Sequence, residues 1–166
     1  KGQPRPVGDG IEIVFRPDPT MFDGRWANNS WLQETPKPIT QLTWDNAALM
    51  DASTASRLGV LSSEIVTINA DGRSVEAPVL IAAGCADNSI TLTLGYGRTR
   101  CGRVGEGRGY NAYAIRTSSA PWILPNATIR KTGRSYTLAT TQEHHRMDNR
   151  PIVLHATADE YALRPD

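Results

Sequence analysis

Between Gly95 and Tyr113 the chain reads Gly-Tyr-Gly-Arg-Thr-Arg-Cys-Gly-Arg-Val-Gly-Glu-Gly-Arg-Gly-Tyr-Asn-Ala-Tyr, with six glycines, four arginines and Glu106 as its one acid. Glycine permits positive φ and lets backbone N–H groups approach a ligand or another chain closely. Arginine adds a permanent charge on a planar fork that matches phosphate and carboxylate oxygens. Such a stretch could cradle an anion, dock an acidic neighbour, or run as a solvated loop, and its composition leaves all three open. A second polar cluster lies upstream, where Asn28, Asn29 and Ser30 stand between Trp26 and Trp31.

Several other chemistries are excluded. The glycine stretch lacks the Gly-Lys-Ser/Thr ending of a P-loop, and a strand rather than a helix is expected after it, which rules out a dinucleotide fingerprint. No nucleophile elbow is present. Cys85 and Cys101 are sixteen positions apart and form no ligand-spaced cluster; the sequence leaves a disulfide open, and they read as free thiols, the first at a turn and the second in the glycine loop. His144 and His145 would face opposite sides of a strand, and with His155 they read as ordinary histidines rather than metal ligands. No catalytic residue can be named. Eighteen basic against seventeen acidic residues leave a formal charge of +1, which argues against a dedicated nucleic-acid binder. The glycine stretch alone carries +3, and its arginines, with nearby Trp26, Trp31, Tyr96, Tyr110 and Tyr113, have the composition of a protein interface.

The elements that must position these residues are short strands. Residues 1–10 are rich in proline and glycine and read as a linker. Ile11 to Phe15 alternates as a first strand, and Arg16 to Gly24 reads as a loop with turns. Pro36 and Pro38 stop any helix over Arg25 to Glu34. Ile39 to Trp44 is expected as a second strand. Ser53 or Thr54 caps a short helix that Gly59 ends. Asp71-Gly72 is a hairpin signal between strands at Glu64 to Asn69 and Ser74 to Ala82. Ser89 to Leu94 enters the glycine stretch and Tyr110 to Ile115 leaves it as a strand. Further strands are expected over Ala127 to Arg130, Tyr136 to Ala139 after a turn at Gly133-Arg134, and Pro151 to Ala156. Many short strands with one or two short helices predict a mainly β, single-domain barrel.

One order of elements carries a resemblance: a short helix ending Leu58-Gly-Val60, a strand, the Asp71-Gly72 turn, a long apolar strand, Gly84, then Ile90 to Leu94. It resembles the C-terminal dinucleotide-binding domain of molybdopterin oxidoreductases, a double-psi β-barrel. In that family an acidic residue follows a glycine before the strand; here Glu64 follows Ser63.

A longer resemblance spans nearly the whole chain. Asn29-Ser-Trp-Leu-Gln-Glu34, Thr43-Trp-Asp-Asn-Ala-Ala48, Leu94-Gly-Tyr-Gly-Arg-Thr-Arg100, Gly102-Arg-Val-Gly105 and Gly109-Tyr-Asn-Ala-Tyr113 resemble the molybdopterin oxidoreductase-like half of the iron–sulfur subunit of alternative complex III. Thr140-Thr-Gln-Glu-His-His-Arg146 resembles the junction to the ferredoxin-like half of that subunit.

The resemblance implies residues 11–139 as the dinucleotide-binding-like barrel and 140–166 as an extension toward an iron–sulfur domain outside this chain. It implies a non-catalytic structural and interaction role in a membrane-associated, quinol-oxidising electron-transfer complex. That complex would lie on the periplasmic side of the bacterial inner membrane. The partners would be the other subunits and the parent's own iron–sulfur half, with no nucleic acid and no direct membrane insertion. No cofactor is expected in this chain, although iron–sulfur clusters are expected elsewhere in the parent. The alternative is a working cap for molybdopterin guanine dinucleotide. In that case Asn28, Asn29, Ser30 and Asn111 would read the pterin, while Gly95, Gly97, Arg98 and Arg100 would hold the pyrophosphate.

Overall fold

The computed structural model describes residues 10–141, 147, 150, 152–153 and 155–165. Six strands carry the fold: β1 (Ile11–Arg16), β2 (Ala48–Met50), β3 (Glu64–Ala70), β4 (Arg73–Ile81), β5 (Ser89–Thr93) and β6 (Ile123–Ser135). Three short helices accompany them: α1 (Ser30–Glu34), α2 (Ala52–Leu58) and α3 (Ala158–Leu163), with a 3-10 turn at Ala112–Ala114. The strands close into a barrel in the order β1-β5-β2-β4-β3-β6. The mainly β barrel expected from the sequence is therefore present.

Alternation along each strand builds the core. Ile11, Ile13 and Phe15 of β1 point inward, and the parallel register sets Ile13 beside Ile90 and Phe15 beside Leu92 of β5. On the other flank β6 runs antiparallel and brings Leu124 opposite Ile13. Val66 and Ile68 of β3, Val79 of β4 and Met50 of β2 fill the rest of the interior, all at 0% exposure. Each such side chain contributes roughly 1.5–3 kcal/mol through burial.

Two pairs of neighbours, β1 with β5 and β2 with β4, run parallel, so the chain cannot close by hairpins alone. At one end, the connection from β1 to β2 must pass over β5, and the connection from β5 to β6 must pass over β1. At the other end, the path from β2 to β3 passes over β4, and that from β4 to β5 passes over β2. These two crossed pairs are the double-psi arrangement. The first crossing brings residues 17–47 and 94–122 together, and these hold every site residue expected from the sequence. The second end carries α2, which buries Thr54 and Ala55 against the barrel.

Several local expectations change. Asp51, not Ser53 or Thr54, caps α2, its side chain accepting from the Ser53 N–H; Gly59 ends the helix at φ 65° as expected. The Asp71-Gly72 hairpin is present, with both residues at positive φ. Ile39 to Trp44 is not a strand: Gln41 and Trp44 hold positive φ, and pairing is limited to a single bridge from Leu42 to Thr140. Tyr110 to Ile115 is not a strand either, because the Asn111 side chain accepts from Tyr113 N–H and caps the 3-10 turn.

Gly133-Arg134 does not turn the chain. β6 runs through it, absorbing Gly133 at φ 75° where the register against β3 shifts, and Tyr136 to Ala139 is not a strand. Among the described residues of the expected last strand, Ile152, Val153, His155 and Ala156, none is in a strand, and α3 follows. Pro151, Leu154 and the 142–146 part of the junction motif, with His144 and His145, lie outside the described residues, as do residues 1–9 of the expected linker.

Candidate functional site

The loop end is organised by three buried polar side chains. Asp18, at the exit of β1, accepts through Oδ1 from Thr20 N–H (3.0 Å), Thr20 Oγ1 (2.8 Å) and Met21 N–H (3.1 Å). Its Oδ2 faces Lys37 Nζ at 3.8 Å. Lys37, with a side chain 6% exposed, donates to Asp45 O (3.0 Å) and Tyr96 Oη (2.8 Å). One ammonium group thus ties the loop after β1, the segment before β2 and the start of the glycine stretch. Asn46 makes the third clip. Its Nδ2 donates to Thr93 O and Tyr110 O, and its Oδ1 accepts from Tyr110 N–H at 2.9 Å, joining both ends of the glycine stretch.

Burial sets the electrostatics of this cluster. It pushes the Lys37 ammonium below the usual lysine range, against the pull of Asp18 and Asp45. It raises the Asp45 carboxyl, although the Tyr136 hydroxyl donates to Oδ2 at 2.9 Å and partly offsets the rise. The Tyr96 and Tyr110 phenols are driven far above their ordinary value by desolvation, so both remain protonated. Burial also pushes the Cys85 thiol up, which disfavours its thiolate. Both cysteines are free, in agreement with the sequence.

The glycine stretch is packed against the rest of the loop end. Arg98 Nη1 donates to Gly24 O at 2.7 Å, and Val104 N–H donates to Asn28 Oδ1 at 3.2 Å. A Cβ at Gly97 would sit inside the Asn111 backbone, one at Gly102 inside the Asn28 amide, and one at Gly105 inside the Ala27 carbonyl. Gly97 and Gly105 supply close approach of main chain to main chain, and Gly102 that of main chain to the Asn28 amide.

The expected site residues fall into this frame as follows. Asn29 caps α1 by accepting from Leu32 N–H, and Ser30 is the first residue of that helix. Asn28, Asn29 and Ser30 line a shallow surface recess of about 470 Å³ with Arg25, Trp26 and Trp31. Gly95 packs on Gly24 and Gly97 on Asn111, so neither offers open backbone. Arg98 is bound to Gly24, whereas Arg100 projects to solvent. Asn111 engages its own turn. The fold therefore brings Asn28 to the glycine stretch, but Gly95, Gly97, Arg98, Arg100 and Asn111 do not line the recess. A larger groove, about 490 Å³, lies on the outer face of β1, β5 and β2, and no expected site residue lines it.

No family model matches this chain, and no curated protein matches it. Among solved structures that resemble it is acetylene hydratase from Pelobacter acetylenicus, at 15% identity and a TM-score of 0.49, over 73% of this chain and 18% of that one. The likeness is distant. The chain thus spans less than a fifth of that neighbour's length.

Lys37 and Asn46, the two organisers of the loop end, are not singled out by the sequence. Lys37 stands between two prolines in a polar run, and Asn46 looks like one half of an Asp-Asn turn. Among the described residues, no group of three His, Cys, Asp or Glu side chains could hold a metal. What the arrangement offers chemically is an internally bonded scaffold with arginines and aromatic rings on its outside.

Proposed function

We propose that this chain is a non-catalytic structural and interaction domain, the barrel of a molybdopterin oxidoreductase-like half in an iron–sulfur subunit of the alternative complex III type. The observation that carries this reading is how the groups suited to a pterin dinucleotide are used. The amide oxygens of Asn28, Asn29 and Asn111 accept from backbone N–H groups of Val104, Leu32 and Tyr113, and Arg98 donates to Gly24 O. These side chains hold the loops in place and are engaged before any ligand arrives. In this reading, residues 140–166 lead to an iron–sulfur half, and the assembly is peripheral on the periplasmic face of the membrane.

The recess beside Asn28, Asn29 and Ser30 favours one second reading, a working cap for molybdopterin guanine dinucleotide. One experiment separates the two. Acid oxidation of the full-length parent, followed by fluorescence of released pterin and assay of molybdenum and tungsten, is expected to give no stoichiometric signal. A pterin present at one or two equivalents per chain would replace the structural reading with the cofactor cap.

A further inference from the structure

We infer that the loop end of the barrel is a docking surface for a protein partner that presents clustered carboxylates. The inference rests on the interaction-domain reading above and adds the face used and the chemistry of the partner. Topology gathers the face: the C-terminal ends of β1 and β5 and the N-terminal ends of β2 and β6 all emerge there. Its segments are locked to one another, for Tyr113 Oη donates to Asp23 O at 3.1 Å and Arg98 donates to Gly24 O.

Charge is concentrated on this face. Outside the buried cluster of Asp18, Lys37 and Asp45, which sums to −1, Arg25, Arg98, Arg100, Arg103, Arg108 and Arg116 stand there against Asp23, Glu34 and Glu106, a net of +3 in a chain that carries +1 overall. The remainder of the molecule is therefore net negative. Arg100 and Arg103 are exposed and enter no hydrogen bond or ion pair with a described residue, so their forks are open. Exposed aromatic rings stand among the charges: Phe22, Trp26, Trp31, Tyr113 and Trp122, with Trp31 at 81% exposure. Arginine and aromatic residues together mark the energetically dominant part of protein interfaces.

The same residue types also serve single-stranded nucleic acid, which stacks bases on open ring faces. Here Phe22, Trp44, Tyr113 and Trp122 are already covered on one side, which leaves Trp26 and Trp31 as the open rings. Arg25 lies 4.9 Å over Phe22, Arg108 lies 5.4 Å over Trp44, and Arg116 sits between Tyr113 and Trp122 at 5.5 and 4.9 Å. A guanidinium stacked on a ring takes that face from a base while its N–H edge can still fork a carboxylate, as at Arg108, although the fork of Arg25 is already held by Asp23. A carboxylate-bearing protein surface fits these features better than a nucleic-acid strand does.

The test uses the full-length parent in its own cells, with a photo-crosslinking p-benzoylphenylalanine at Trp122. A second version carries it at Leu61, exposed at the opposite end of the barrel. The expected result is one protein adduct from the Trp122 site, on a peptide with more Asp and Glu than Lys and Arg. Its yield should fall about tenfold in the Arg100→Glu, Arg103→Glu variant, for each 1.4 kcal/mol of lost attraction is one decade. That variant should keep the parent's circular dichroism and melting temperature, because neither side chain holds the fold. Equal adducts from both sites, an adduct to a neutral or basic surface, a nucleic-acid adduct, or none at all would overturn the inference. Pterin measured on the same preparation reports separately on the cofactor question, so a failure of one reading is distinguishable from a failure of the other.

Discussion

At the scale of single residues, the glycines of the loop end differ in what they do, and substitution separates them. Gly97 has φ 70° and its missing Cβ is replaced by the Tyr110–Asn111 backbone, so Gly97→Ala forces both a left-handed alanine and a main-chain clash. It should cost about 2–5 kcal/mol. Gly107 has the same φ with open space around it, and Gly107→Ala should cost only about 1–2 kcal/mol. Urea midpoints of the two variants check the ordering. Lys37 is a sharper case. Lys37→Met leaves the Asp18 carboxylate buried beside no cation and should destabilise by about 3–5 kcal/mol. Adding Asp18→Asn, which keeps an acceptor for Thr20 and Met21, should recover about 1–3 kcal/mol of that in a double-mutant cycle. Strict additivity would show that the two groups do not interact.

Asp45 gives the same cluster a pH signature. Its folded-state carboxyl lies above the ordinary value of about 3.9 because burial disfavours the charge. The folded form then holds its proton more tightly than the unfolded chain. Asp45 therefore contributes stability that is fully present below pH about 4 and is lost as pH rises through the raised value. Asp45→Asn removes this loss and retains an acceptor for the Tyr136 hydroxyl. Measured by urea midpoints, the variant should gain on the parent protein between pH 4 and 7. A constant difference across that range would mean that the carboxyl is not desolvated.

At the scale of elements, the turn before β3 shows how the fold overrides a residue. Where the molybdopterin oxidoreductase pattern carries glycine, this chain has Ser63, and Ser63 nevertheless holds φ 74°. Its N–H donates to Val79 O, its carbonyl accepts from Tyr136 N–H, and Leu61 N–H donates to Glu64 Oε2, so the neighbours enforce the turn. Ser63→Gly should relieve the left-handed strain and raise stability by about 0.5–1 kcal/mol, read from the thermal midpoint. Elements of this kind also show what the sequence makes legible. β1, β5 and the β3–β4 hairpin are visible because alternation and an Asp-Gly turn are local signals. β2 has only three residues, and it is defined by its partners β4 and β5 rather than by its own pattern. Gly133 looks like a turn because a positive φ does not say whether the chain reverses or merely bulges. In the site, the contact between Asn28 and the glycine stretch follows from the crossing over β1, a long-range feature. The roles of Lys37 and Asn46 depend on burial that no neighbouring residue announces.

At the scale of the whole molecule, the crossed connections make the two ends of the barrel interdependent. β1 pairs with β5 and β6, which lie more than seventy residues away in sequence, so no end can form from local contacts alone. All four tryptophans, Trp26, Trp31, Trp44 and Trp122, lie in the loop-end segments, whereas backbone circular dichroism reports on the strands throughout. If the loop end were an appendage, tryptophan fluorescence would change at lower urea than the dichroism. The buried Lys37 and Asn46 clips argue against that, because opening the loop end breaks the Lys37–Asp18 ion pair and frees Thr93 O at the end of β5. The two probes should therefore trace one coincident transition, as expected for a single cooperative domain. Ile13→Ala, a truncation at 0% exposure in the strand that both connections of the loop end share, should then move both curves by the same amount, about 2–5 kcal/mol. A shift of the dichroism alone would place the loop end outside the barrel's cooperative unit and would leave the docking face able to rearrange independently.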